Sequence, residues 1–191
     1  MLYLLVGTNR AGSRSAELAD ILKPLYEAEG HEVKIMNLID VGLEELTPES
    51  YGNSPKPDKI TNAVEELLNA DGLVCIVPEY NGSMPGALKY FIDHWKYPDS
   101  FEHRPVAFIG LGGMFGGLRP VEHLQQVFGY RNAFIYPDRI FMQNVWNVLK
   151  EGKIENETVC ELLKKQTQGF SRFIKALKSE NLHAKGYNPE K

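Results

Sequence analysis

The chain has 191 residues, of which 43% are hydrophobic and 24% charged, and a formal net charge of −4. These values suit one soluble globular domain with a single core. They exclude the strongly basic surface of a nucleic-acid binder or of a chain drawn to anionic membranes, and no apolar run approaches the length that spans a bilayer.

The start, "MLYLLVGTNR", lacks a basic n-region and a small-residue cleavage site, so it reads as a first strand, Leu2–Val6, and not as a signal peptide. Cys75 and Cys160 are far apart and form no CxxC pair. Buried, inert thiols and a cytoplasmic location are the simplest expectation. After a first loop, Leu18, Ile21, Leu22 and Leu25 share a helical face, within which Pro24 is expected to kink or shorten the helix. "EVKIMNL", Glu32 to Leu38, alternates and suits an edge strand, and "LTPESYGNSPKPDK", Leu46 to Lys59, reads as a long surface loop.

A second helical face follows at Ile60, Val64, Leu67 and Leu68, then an uninterrupted apolar run at Gly72–Val77. Leu88, Phe91, Ile92 and Trp95 form a third face, Pro105–Gly110 a fourth strand, and Val121, Leu124 and Phe128 a fourth helix. "NAFIYP", Asn132 to Pro137, reads as the fifth strand, and Val159, Leu162, Leu163, Phe170, Phe173, Ile174 and Leu177 define a long last helix. Apolar runs of strand length are covered on both faces, and strict βα alternation implies an α/β fold with a parallel sheet and right-handed crossovers. One domain over residues 1–180 is expected, with 181–191 as a tail and no internal repeat or low-complexity tract.

Open parallel sheets bind ligands beyond the carboxyl ends of their strands, and three loops there carry unusual chemistry. "GTNRAGSRS", Gly7 to Ser15, opens a helix with hydroxyls at Thr8, Ser13 and Ser15 and cations at Arg10 and Arg14. It suits a phosphate, or else a plainly capped helix start with solvated arginines. In "VPEYNGSMPGALKYFIDHW", Val77 to Trp95, Pro78 ends a strand, Asn81-Gly82 signals a turn, and Ser83 is placed to cap a helix with Pro85 in its first turn. Such a loop offers backbone groups to a planar heterocycle, with Tyr80 adding an aromatic surface; the bland alternative is a well-made turn. "GLGGMFGGLRP", Gly110 to Pro120, has five glycines within eight residues, each allowing close backbone approach to a ligand. It is not the dinucleotide fingerprint, and "GALK" is not a P-loop.

With these loops, the sequence resembles the NAD(P)H-dependent FMN reductase family of flavodoxin-like proteins. The first loop matches the family's G-S-x-R-x-x-S-x-N at Gly7, Thr8, Arg10 and Ser13, with Ser15 in place of Asn; Pro78 to Lys89 carries P-E-Y-N-G-S-x-P-G-x-L-K unbroken; Gly116-Gly117-Leu118-Arg119 matches G-G-x-R. The resemblance covers about the first 145 residues. It implies a three-layer αβα sandwich with a five-stranded parallel sheet of order 2-1-3-4-5, and FMN with its phosphate on Thr8, Arg10, Ser13 and Ser15. It further implies a ring bordered by Pro78, Glu79, Tyr80, Asn81 and Gly82 and by Gly112, Gly113, Gly116 and Gly117. NAD(P)H would be the electron donor, a quinone, azo dye, flavin or metal ion the acceptor, and a homodimer or homotetramer the assembly. The cofactor carries the reaction in such enzymes, so no catalytic side chain is named.

Two other functions compete. A flavodoxin-like electron carrier would bind FMN without oxidising NAD(P)H, but such carriers are usually more acidic and lack arginine in the phosphate loop. A serine hydrolase would use Ser83 with His94 or His123, although "NGSMPG" is not G-x-S-x-G. Trp95 and Trp146 read as packing residues, the scattered His31, His103 and His183 imply no metal site, and Lys89 faces either an NADPH phosphate or water.

Overall fold

The computed structural model describes residues 1–52 and 54–187. Its central sheet is parallel. Strand β1 (Leu2–Val6) lies between β2 (Val33–Asn37) and β3 (Gly72–Pro78), and β4 (Pro105–Leu111) follows β3. The far edge is shared by β5 (Phe134–Ile135) and β6 (Ile140–Met142), which gives the order 2-1-3-4-5 with a divided last position. That is the flavodoxin-like order expected above.

Helices cover both faces. On one, α1 (Arg14–Ala28) and α6 (Glu157–Ser179) bury Leu18, Leu22 and Tyr26 with Leu163, Phe170 and Ile174 against Leu4, Val74 and Ile109 of the sheet. On the other, α2 (Asp58–Leu68), α3 (Gly86–Ile92) and α4 (Leu118–Gly129) bury Ile60, Val64, Leu88, Phe91, Leu124 and Phe128 against Leu5, Cys75 and Phe108. Alternate residues of each strand enter opposite cores, and for that reason the central strands are continuous apolar runs. Burial pushes the Cys75 thiol well above the usual range, which fits an inert core residue.

Three expectations are corrected. Helix α1 runs unbroken through Pro24, because Pro24 and Asp20 are both exposed and the carbonyl deprived of its partner four residues back can be solvated. Leu162 of α6 lies on the exposed side of its helix. The fifth strand does not run over Asn132–Pro137. Phe134–Ile135 pairs with Pro105–Val106, the chain leaves the ladder near Pro137, and Ile140–Met142 rejoins β4 at Ile109–Leu111. The gap is closed by a side chain: Gln166 of α6, fully buried, donates through Nε2 to Phe108 O at 3.1 Å and to Asp138 O at 2.7 Å. A buried strand carbonyl without a ladder partner needs such a donor.

After β6 come a one-turn helix α5 (Val145–Val148) and a small hairpin of β7 (Leu149–Lys150) and β8 (Lys153–Ile154). The expected surface loop contains a 3-10 turn at Pro48–Ser50, and its Tyr51 stacks on His94 at 4.6 Å between centroids. Residues 181–187 return to the body, with Tyr187 stacked on His103 and Lys185 Nζ donating to Asn69 O at 2.7 Å. Residues 188–191 of the expected tail lie outside the described residues. No helix among the described residues is long and apolar enough to cross a membrane.

Candidate functional site

The carboxyl ends of β1, β3, β4 and β6 converge on a cleft of ≈ 380 Å³, within the range of about 300–1,000 Å³ typical of small-molecule sites. Each wall follows from local sequence.

The first wall is the turn from β1 into α1. Ser13 caps the helix, its side-chain oxygen accepting from Ala16 N at 3.2 Å, and Gly12 takes the left-handed conformation that the turn requires (φ 61°). Ser13 and Arg10 line the cleft. Ser15 does too, and it is nearly fully buried with a hydroxyl that has no protein partner among the described residues. Arg14 is drawn aside by Glu17 at 2.7 Å, whereas Arg10 is exposed and has no ion pair among the described residues. Thr8 does not line the cleft. It is fully buried, and its hydroxyl lies 3.0 Å from Tyr80 Oη while accepting from Arg10 N at 3.2 Å.

The second wall is the exit from β3. Glu79 N donates to Leu111 O at 2.8 Å, extending the β3–β4 pairing by one residue. Asn81 (φ 52°) and Gly82 (φ 76°) both adopt left-handed backbone, and Tyr80 and Ser83 exchange backbone bonds of 2.9 and 3.1 Å. This is a two-residue hairpin turn of the kind Asn-Gly favours. Pro78, Glu79 and Tyr80 line the cleft, and the turn residues Asn81 and Gly82 do not. Ser83 does not cap α3; Pro85 occupies the cap position, and the Ser83 hydroxyl bonds His123 Nδ1 at 2.8 Å. The hairpin has already fixed the Ser83 backbone, so its side chain turns to α4. Among the described residues no carboxylate bonds His123, and neither residue lines the cleft.

The glycine-rich third loop folds back on its own strand. A Cβ on Gly110 would come 2.5 Å from Gly117 O, one on Gly112 would come 2.9 Å from Gly117 N, and one on Gly116 would come 3.0 Å from Gln143 N. Gly117 (φ 81°) packs on the Leu111 backbone. These glycines serve chain-to-chain packing, and Gly116 and Gly117 lie outside the cleft lining; Gly112 and Gly113 lie within it. Gly113 alone of the five has room, its nearest neighbour being the Trp146 ring at 3.5 Å. Glu79 leans across this loop, one oxygen 3.5 Å from Arg119 and the other buried without a partner among the described residues.

The fourth wall, Val145 and Trp146, was not singled out for the site by sequence reasoning, which took Trp146 for packing. The available signal was the second apolar triplet, Ile140–Met142, after Pro137: a strand there delivers the next residues to the same sheet edge as the other loops.

A sequence profile of the family described as NADPH-dependent FMN reductase matches residues 1–147. The chain belongs to the NADPH-dependent FMN reductase family. It is 28% identical to the quinone reductase of Escherichia coli K12 over 181 residues, covering 91% of this chain and 95% of that one. It is 29% identical to the FMN-dependent NADPH-azoreductase of Staphylococcus aureus USA300 over 128 residues, 65% and 66% of the two chains. In fold it is similar to FerB, a flavoenzyme NAD(P)H:(acceptor) oxidoreductase of Paracoccus denitrificans, with a TM-score of 0.72 at 20% identity, covering 92% of this chain and 97% of that one.

The cleft fits the cofactor of an FMN reductase. A dianion finds Arg10, the partnerless Ser15 hydroxyl and the start of α1 at one end, where helix N–H groups and the dipole favour negative charge. A planar ring finds Pro78–Tyr80 and the side-chain-free backbone of Gly112–Gly113 at the other.

Proposed function

We propose that the first loop binds the FMN phosphate through Arg10, Ser15 and the N–H groups at the start of α1, while Pro78–Tyr80 and Gly112–Gly113 hold the ring, and that the enzyme reduces small planar acceptors such as quinones at the expense of NAD(P)H. The observation that supports this most directly is the joining of a cationic, hydroxyl-bearing loop and a backbone-lined slot in one cleft. Bound FMN supplies two-electron chemistry that no side chain here can provide. The net reaction balances as NAD(P)H, one proton and a quinone giving NAD(P)⁺ and a hydroquinone, the proton coming from water.

The residues bind and orient. Thr8 and Tyr80 lock the first two loops together; Ser13 fixes the start of α1; Glu79 and Arg119 tie the second loop to α4. Asn81 and Gly82 act by shaping the turn that presents Tyr80. Gly116 and Gly117 act by folding the third loop tightly enough to leave the slot open.

The assembly we infer is a homodimer or homotetramer. Supporting it, Tyr97 and Tyr130 stand exposed beside one groove with the Arg131 guanidinium 3.6 and 4.0 Å from their ring centroids, an apolar and cationic surface of the kind that interfaces favour. Light scattering coupled to size exclusion would read it. A cytoplasmic location is supported by two unpaired cysteines.

The visible spectrum of the purified protein, with FMN added and then NADPH under anaerobic conditions, tests the reading. A bound flavin that bleaches within seconds is expected. A bound flavin that neither NADPH nor NADH bleaches indicates an electron carrier, and a protein that binds no FMN overturns the assignment of the cleft.

A further inference from the structure

The cleft is polarised along its length. Because β3 and β4 lie between β1 and β6 in the sheet, the first loop with Arg10 and the turn with Trp146 form its two ends. One end carries the unpaired Arg10 beside the Arg14–Glu17 pair; the other ends in an indole, with Glu79 turned toward Arg119 between them. Trp146 is 60% exposed, whereas the chain's other tryptophan, Trp95, is 6% exposed and packed among Phe91, Phe101 and Phe128. A side chain with this much apolar surface is normally buried. The loop that carries Gly113 continues into Met114 and Phe115, which are exposed too, Phe115 beneath the Arg119 guanidinium at 4.4 Å.

The indole is also firmly mounted. Asn144 N donates to Gly113 O at 2.9 Å and Val145 N to Gly112 O at 3.1 Å, so the turn is stitched to the third loop by two backbone bonds. Val145 is buried in the core as an anchor. Gly113 offers the ring a flat backbone surface, with no side chain to hold it away from the cleft floor. A rigid, exposed aromatic face costs little to order when another flat ring stacks on it.

We propose that Trp146 is the stacking platform for the electron acceptor and thereby selects uncharged-ring, planar conjugated acceptors over compact ones. This rests on the FMN reading above and assigns the acceptor end of the same cleft.

The test compares wild-type, Trp146→Ala and Trp146→Phe proteins loaded with FMN. Calorimetry on the oxidised proteins, without NADPH, measures the affinity for anthraquinone-2-sulfonate; steady-state assays measure kcat/KM for that quinone and for ferricyanide; FMN affinity is titrated separately on the apoproteins. Trp146→Ala is expected to weaken quinone binding about tenfold and to lower the quinone-to-ferricyanide ratio of kcat/KM by a similar factor, with Trp146→Phe recovering most of both. An unchanged ratio and unchanged quinone affinity in a folded Trp146→Ala protein overturn the proposal. So does a loss of FMN affinity as large as the loss of quinone affinity, which would make Trp146 part of the cofactor cradle. A wild-type protein that takes up no FMN refutes the FMN reading itself, and the proposal with it.

Discussion

The hydroxyls of Thr8 and Tyr80 meet 3.0 Å apart, joining loops that leave strands β1 and β3 and are 72 residues apart in the chain. Thr8 is fully buried at this junction. The residue that the family motif offers as a phosphate contact thus works as a strut between the cationic end of the cleft and its aromatic floor. Thr8→Val keeps the shape and removes this bond together with the one accepted from Arg10 N. It should cost about 1 kcal/mol of stability, the usual net worth of such a hydrogen bond, read from urea unfolding of the apoprotein, and should weaken FMN binding less than loss of Arg10 does.

Arg10 and Arg14 are not equivalent. Arg14 is held by Glu17, while Arg10 is free to meet an anion. Arg10→Ala should weaken FMN binding by about 1.5–3 kcal/mol, the scale of a lost charged hydrogen bond, with a shallower salt dependence than wild type. Glu17→Gln should act in the opposite direction. It removes a negative charge from the cleft lining and releases Arg14, tightening FMN by a few tenths of a kcal/mol to about 1 kcal/mol at low salt. Flavin fluorescence titration at two ionic strengths measures both.

The glycine loop makes a sharper test of packing against ligand contact. Gly117→Ala places a side chain at φ 81° and into the Leu111 backbone, and it should destabilise the fold by about 2–4 kcal/mol through strain and overpacking. Gly113→Ala meets only the Trp146 ring at 3.5 Å and should leave thermal stability within about 1 kcal/mol. Its effect should fall on FMN affinity, because the added methyl enters the cleft. Melting curves of the apoproteins separate the two.

Acid should loosen the molecule through His94. Burial, reinforced by Lys56 and opposed by the Ser50 backbone and by Asp93, holds its pKa below the ordinary value of 6.5. Lys96 lines the same small cavity, and Asp93 is its chain neighbour. Below pH 6.5 the unfolded imidazole takes up a proton that the folded one still refuses, so the unfolded chain binds more protons and stability falls with pH. The loss reaches at most about 1.4 kcal/mol per pH unit until the folded pKa is passed. His94→Phe preserves the stack on Tyr51 and should flatten the stability profile between pH 6.5 and 5. A remaining slope is expected from His31, whose pKa is lowered chiefly by burial and next by Lys175. Urea midpoints across that range are the measurement.

Strands β1, β3 and β4 were legible because each is buried on both faces, which leaves a short continuous apolar run, of strand and not helix length. The last strand was not, because what completes it is Gln166, a side chain from a distant helix that leaves no local pattern. The first and second loops announced a site through residue types placed at strand ends. The third misled in part. Glycine serves close approach of any kind, and here the approaching group at Gly110, Gly112, Gly116 and Gly117 is the chain's own backbone. Trp146 was missed because a single aromatic residue after a short strand looks the same in sequence whether it faces the core or a cleft.

Arg10 and Trp146 stand at opposite ends of one cleft yet enter the chain near its beginning and well past its middle. On the ribosome, the first of these walls is made long before the last. A nascent chain that has delivered β1 and β3 already carries the cationic loop and the Tyr80 hairpin, but the slot has no third side until β4 and its glycine turn are in place, and no far end until β6 has docked. On the assignment of the cleft proposed above, flavin capture is a late event in biosynthesis, and the appearance of flavin colour would report that the sheet has been completed.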